Sequence, residues 1–153
     1  MEFDHLVVAA EHLDQAVDYI ETELGITLIQ GGKHARYGTH NAVAAIGAHC
    51  YIEAIARGYD GPQPQVARWF DLDRFEGAPR IITWACRVGD LHSAMVQLPA
   101  QAGTAVEMTR AAFRWKINVA PSGRMMHDGA FPQLLEWEGA SIRVIICPVQ
   151  RLN

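Results

Sequence analysis

From Phe3 to Ala9 the chain reads as a strand, whose alternation places Phe3, His5 and Val7 on one face and Asp4, Leu6 and Val8 on the other. Apolar residues on both sides predict a strand buried on both faces. The period then changes. Leu13, Ala16, Val17, Ile20 and Leu24 recur at helical spacing, Asp14 sits in the first turn and Gly25 follows as a left-handed cap, which predicts one amphipathic helix. Thr27 to Gln30, Asn41 to Ile46 and Cys50 to Ala56 read as three strands, broken at Gly31-Gly32 and at Gly47-Ala48-His49.

The order strand, helix, strand, strand, strand returns in the second half. His5 and Thr83, Leu13 and Leu91, Ala16 and Ala94, and Gly25 and Gly103 each stand 78 residues apart, which points to an internal duplication. Ile81 to Val88 is the strand and Asp90 the helix N-cap; Leu91, Ala94, Met95 and Leu98 form an apolar stripe that Pro99 ends or kinks. Strands follow at Ala105 to Met108, Phe113 to Val119 and Gln133 to Trp137. Gly25 to Glu53 spans 28 residues and Gly103 to Glu136 spans 33, so five extra residues are expected in Ser122 to Ala130, a loop with the composition of a lid. Val66 to Phe75 predicts a short helix in the connection. One domain over 1–153 is expected, with a first module over about 1–57, a linker over 58–79 and a second module over 80–138. A further β-branched strand over 140–148, centred on Ile142 to Cys147, either completes the sheet or joins two copies as a homodimer.

Composition narrows the classes. Of 153 residues 50% are hydrophobic and 20% charged, as in a soluble globular protein, with no apolar run long enough to cross a bilayer. Thirteen Lys and Arg against 17 Asp and Glu give a net charge of −4, the wrong sign for a nucleic-acid partner. The acidic start, Met1-Glu2-Phe3-Asp4-His5, lacks the basic region of a leader, so a cytoplasmic location is expected. Cys50, Cys86 and Cys147 form no C-x-x-C pair and read as reduced core thiols. Neither G-x-G-x-x-G nor G-x-x-x-x-G-K-[ST] occurs, so no nucleotide cofactor is expected, and no serine lies in a G-x-S-x-G elbow.

Candidate chemistry lies where polar residues interrupt the apolar faces. His5 matches Thr83 on the first strands, and Glu53 matches Glu136 on the last. Glu53 shares a face with Tyr51 and Ile55, where an unpaired carboxylate is costly, so either a divalent cation or a hydrogen bond should hold it. In Gly38-Thr39-His40-Asn41, Thr39 and Asn41 share a face and either orient a small polar ligand or satisfy the turn. Arg114 and Lys116 alternate with Phe113, Trp115, Ile117 and Val119 and face either the cavity or solvent, the outward reading being favoured. His127, in the loop, is a candidate acid or base.

The motifs Gly31-Gly32-Lys33-His34, Gly38-Thr39-His40-Asn41 and Tyr51-Ile52-Glu53 match G-G-x-H, G-T-x-N and Y-[LI]-E, and with Phe113-Arg114-Trp115 and Leu135-Glu136-Trp137 the chain resembles the glyoxalase-like domain of the vicinal-oxygen-chelate superfamily. The resemblance implies an α+β fold in which two βαβββ modules form a curved mixed sheet around a central cavity. It implies a divalent metal on His5, Glu53 and Glu136, with Thr83, a poor ligand, where a further one would sit, and catalytic roles for Glu53 and Glu136. Small-molecule contacts are expected from His34, Thr39, Asn41, Tyr51, Thr83 and Trp115. The activity implied is a lyase or isomerase whose metal chelates adjacent substrate oxygens and stabilises an enolate; the alternative is a metal-free protein that binds or sequesters a small molecule.

Overall fold

The structure, a computed structural model, describes residues 1–58, 60–110 and 112–139. The chain opens with β1 (Glu2–Ala9), α1 (Leu13–Leu24), β2 (Ile29–His34), β3 (Thr39–Ala45) and β4 (Tyr51–Arg57). After the linker, β5 (Arg80–Arg87), α2 (Leu91–Met95), β6 (Thr104–Arg110), β7 (Phe113–Val119) and β8 (Gln133–Trp137) repeat that order. Both ends of β1 and β5, and the first residues of the two helices, keep the offset of 78. The strands form one sheet in the order β2-β3-β4-β1-β5-β8-β7-β6, curled into a half-barrel. β1 and β5 pair antiparallel at its centre, and each pairs in parallel with the last strand of its own module.

Alternation along the strands sorts side chains between two surfaces. The concave side carries Val7, Ile55, Ala85, Trp115, Ile117 and Leu135, packed with Trp69, Phe70, Leu72 and Phe75 from the linker. On the convex side Ala16 and Ile20 of α1 cover Val8, Ala42, Ile52 and Ala54, while Leu91 of α2 covers Cys86 and Leu134. The helix signals are realised in detail. Gly25 takes the left-handed conformation at φ 63° and its N–H closes α1 on the Glu21 carbonyl at 2.9 Å. Asp90 caps α2 by accepting the Ser93 N–H at 3.0 Å.

Several expectations change. Gly31-Gly32 does not break the chain but lies inside β2, at a register shift against β3 between Gln30 and Lys33. The linker helix is a 3-10 segment, Trp69–Arg74, in which Phe70 and Asp71 are left-handed at φ 55° and 57°. The loop expected as a lid contains a second such segment, Met126–Gly129, and is fastened down: Thr83 Oγ1 donates to the Gly129 carbonyl at 3.1 Å, and the Asp71 N–H to the Gly123 carbonyl at 2.8 Å. Cys86 is buried and Cys50 half-buried, both as free thiols; Cys147 and the further strand at Ile142 to Cys147 lie outside the described residues.

Ile20 is 1% exposed at the centre of the α1 contact. Ile20→Ala is expected to cost about 2–5 kcal/mol in urea unfolding, from lost burial plus the cavity left behind.

Candidate functional site

The parallel register of β1 and β4 sets His5 beside Tyr51 and Val7 beside Glu53, all on the concave face. The tyrosine ring stacks on the imidazole with centroids 4.4 Å apart and planes 19° from parallel. Alternation assigns Asp4 to the opposite face from His5, yet the structure brings the two side chains together. The β1/β5 ladder shifts register between Phe3 and His5, so Asp4 falls in a bulge. Its fully buried carboxylate meets His5 Nδ1 at 2.7 Å through Oδ1, while Oδ2 accepts from Arg87 Nη1 and Trp137 Nε1, both at 3.1 Å.

His5 Nε2 lies 3.5 Å from Glu53 Oε2. Burial alone would strip the proton from His5, but the carboxylates of Asp4 and Glu53 on its two nitrogens outweigh that and raise its pKa to about 9. His5 is therefore an imidazolium at neutral pH. Burial would likewise push Glu53 up, and the contacts with His5 and Asn41 reverse the shift and hold it below the usual carboxylate range. Asn41 Nδ2 donates to Glu53 Oε1 at 2.5 Å, and Asn41 Oδ1 accepts from the Gly32 N–H at 2.9 Å and from Arg110 Nη1 at 3.0 Å. A single polar chain thus runs from Arg87 through Asp4, His5, Glu53 and Asn41 to Arg110.

His34 faces this chain as a neutral imidazole. Burial, the largest influence, lowers its pKa to about 4, Glu53 opposing and Arg110 adding to the shift. Its Nδ1 lies 3.2 Å from Thr39 Oγ1, which also accepts the Trp69 indole N–H at 3.1 Å, and its ring meets Trp69 edge-on at 4.9 Å. Trp69, Phe70, Trp115 and Trp137 wall the cavity around His5, His34, Asn41, Tyr51, Glu53 and Arg110. The space is tight, about 30 Å³, room for roughly two water molecules or the reacting end of a small compound. The tyrosine is held neutral, its pKa driven well above 10 by burial and by the nearby carboxylates of Asp4 and Glu53.

Of the residues singled out in the sequence, His5, Glu53, His34, Asn41, Tyr51 and Trp115 line this cavity. Glu136 does not reach it. Its carboxylate points to the convex side, where Oε2 accepts the Leu91 N–H at 2.8 Å and Oε1 lies 3.4 Å from Lys116 Nζ. The β8 side chains that line the cavity are Leu135 and Trp137. Ladder register explains the difference: Val7 pairs with Glu53, and its counterpart Ala85 pairs with Gln133, so Gln133 rather than Glu136 occupies the position equivalent to Glu53. Thr83 is spent on the Gly129 carbonyl and Thr39 on Trp69, so both brace the walls instead of facing a ligand. Arg114 and Lys116 lie on the outer face of β7, and His127 is exposed. Asp4 and Arg110 were not singled out. Two consecutive polar residues ahead of the apolar run Leu6 to Ala9 mark the first, and continuing the alternation Val106, Met108 by one step reaches the second.

These residues do not suit a divalent cation. His5 and Glu53 converge, but the matching positions of the second module supply Thr83, already bonded, and Gln133, an uncharged amide that does not line the cavity. Among the described residues no three His, Cys, Asp or Glu side chains are grouped to hold a metal ion.

Comparison with known proteins places this geometry in context. The family model of the glyoxalase-like domain matches residues 3–147. No curated protein matches the chain by sequence. Among solved structures, a hypothetical protein from Staphylococcus aureus aligns at TM-score 0.61 and 21% identity over 90% of this chain, which spans only 58% of that protein. Methylmalonyl-CoA epimerase from Mycobacterium tuberculosis aligns at 0.57 and 21% identity, covering 91% of this chain and 88% of that one. The Streptomyces coelicolor methylmalonyl-CoA epimerase in complex with 2-nitronate-propionyl-CoA aligns at 0.57 and 12% identity, covering 89% and 96%. At these identities the likeness establishes the vicinal-oxygen-chelate fold.

The two buried histidines carry opposite pH signatures. His5, raised from 6.5 to about 9, contributes stability that is complete below pH 6.5 and lost as pH rises through 9; His34, lowered to about 4, contributes stability that is complete above pH 6.5 and lost as pH falls through 4. Proton NMR of the imidazole rings should show these two titrations, and Asp4→Asn should move the His5 midpoint down while leaving that of His34 in place.

Proposed function

The chain belongs to the glyoxalase-like domain family, and from its site we propose a small-molecule enzyme of isomerase type that moves a proton at a carbon next to a carbonyl. The observation that carries this reading is the buried pair His5 and Glu53, an imidazolium and a carboxylate 3.5 Å apart on one wall of the cavity. A substrate carbonyl oxygen entering between them takes the His5 Nε2–H as a hydrogen bond. That withdraws electron density from the neighbouring C–H and removes a contact that keeps Glu53 weakly basic. The C–H bond then breaks toward the Glu53 carboxylate, its electron pair passing into the carbonyl to give an enolate whose oxygen remains on His5. Return of the proton to the opposite face of the same carbon gives the epimer.

In this reading the imidazolium, fixed from behind by Asp4, takes the electrophilic role that a divalent cation fills in other members of the superfamily. That both ring nitrogens of His5 already face carboxylates, Asp4 and Glu53, supports that choice over a metal ion. The fold shared with proteins named as epimerases is in keeping with proton transfer at carbon, as analogy at the level of fold. A second reading, sequestration without chemistry, draws on the four aromatic walls.

Exchange of carbon-bound hydrogen for deuterium in D2O, followed by NMR on hydroxyacetone and 2-oxobutyrate, distinguishes the readings. Proton transfer predicts enzyme-dependent exchange that persists in chelator and falls about 10²–10⁴-fold in Glu53→Gln. Saturable quenching of tryptophan emission by either compound with no exchange would leave the sequestration reading standing and discard the enzyme.

A further inference from the structure

We propose that Arg110 is the anion-binding residue of this site, so that the ligand is a small carboxylic acid whose carboxylate sits on the Arg110 guanidinium while its second oxygen meets His5. The inference rests on the proton-transfer reading only for the role of His5.

Three observations converge on it. Val106, Met108 and Arg110 alternate along β6, so the arginine continues the inward row and ends it at the cavity. There Nη1 donates to Asn41 Oδ1 at 3.0 Å, a neutral acceptor, and no carboxylate among the described residues pairs with it. The remaining charges of the site are already answered: Asp4 by Arg87, and His5 by Asp4 and Glu53. A half-buried guanidinium with a neutral partner leaves most of its planar donor fork for a carboxylate, which it binds through two parallel hydrogen bonds.

The third observation concerns the backbone opposite. A Cβ at Gly32 would lie 2.7 Å from Arg110 Cδ, and one at Gly31 would overlap Asn41 Oδ1. The paired glycines of β2 are therefore the space in which the arginine stem and its asparagine support lie. They let the two edge strands of the half-barrel meet with a cation between them. Asn41 and Gly32 act here as positioning residues, because they set where the guanidinium stands.

Quenching of tryptophan emission tests the assignment, since Trp69, Trp115 and Trp137 line the cavity. The probes are 2-oxobutyrate and its uncharged analogue 2-oxobutanamide, which differ only in the group that Arg110 would read. The wild-type protein should bind the acid about tenfold more tightly than the amide. Arg110→Gln should abolish that preference by weakening acid binding more than amide binding, and Arg110→Lys should retain part of it. Gly32→Ala, which keeps the charge but displaces the stem, should weaken acid binding selectively, and melting curves establish that each variant is folded. Equal affinity for acid and amide, a preference that survives in both Arg110→Gln and Gly32→Ala, or no saturable binding of either probe at millimolar concentration would overturn the proposal. Hydrogen exchange measured alongside separates the two claims. An Arg110-dependent preference with no hydrogen exchange in the wild type would sink proton transfer alone, and exchange on hydroxyacetone without an acid preference would sink the Arg110 assignment alone.

Discussion

A charged imidazole buried in the concave face is the constraint from which the rest of the site follows. Burying His5 is tolerable only because Asp4 and Glu53 occupy its two ring nitrogens, and a buried carboxylate is tolerable only with donors of its own. Asp4 therefore calls for Arg87 and Trp137, and Glu53 for Asn41, which in turn needs the glycines of β2 for room. The demand spreads outward until it ends on groups that reach solvent. Removing a link strands the next charge, so the polar chain is more cooperative than its separate distances suggest.

The repeat is plain in the order of elements and absent from the chemistry. The concave position of His5 becomes Thr83 in the second copy, and that of Glu53 becomes Gln133. The space that a second site would use is filled by Gly129, whose carbonyl takes the Thr83 hydroxyl, and a side chain at that glycine would overlap the Ile82 carbonyl. The left-handed pair Phe70 and Asp71 turns the linker inward to close the same side, at a backbone cost that the packing of Phe70 against Trp69 offsets. One half of the fold keeps a cavity and the other supplies its floor.

How much of this could be read in advance depended on what carried the signal. Hydrophobic periodicity showed β1, α1 and the 78-residue offset, because burial on two surfaces dictates both period and spacing. Pairing Glu53 with Glu136 failed because matching residue types is a weaker constraint than ladder register. Hydrogen bonding aligns Glu53 with Gln133, an offset of 80 from sequence positions 53 and 133, where matching the glutamates required 83. Asp4 was hidden for a related reason. Strict alternation cannot foresee a bulge, and a single extra residue in the ladder carries a side chain to the other surface. Arg110 escaped notice because the predicted strand stopped at Met108, two residues before the inward row ends.

The contacts of Asp4 have a consequence for how the two halves depend on each other. The carboxylate belongs to the first module, and the guanidinium and indole that hold it, Arg87 and Trp137, belong to the second. The first repeat alone contains Asp4, His5, Glu53 and Asn41, yet without Arg87 and Trp137 the buried Asp4 carboxylate behind the imidazole would lose two of its donors. The charged pair is thus held in common: one repeat carries it and the other keeps it neutralised, so a change at Arg87 or Trp137 is felt at His5 through Asp4.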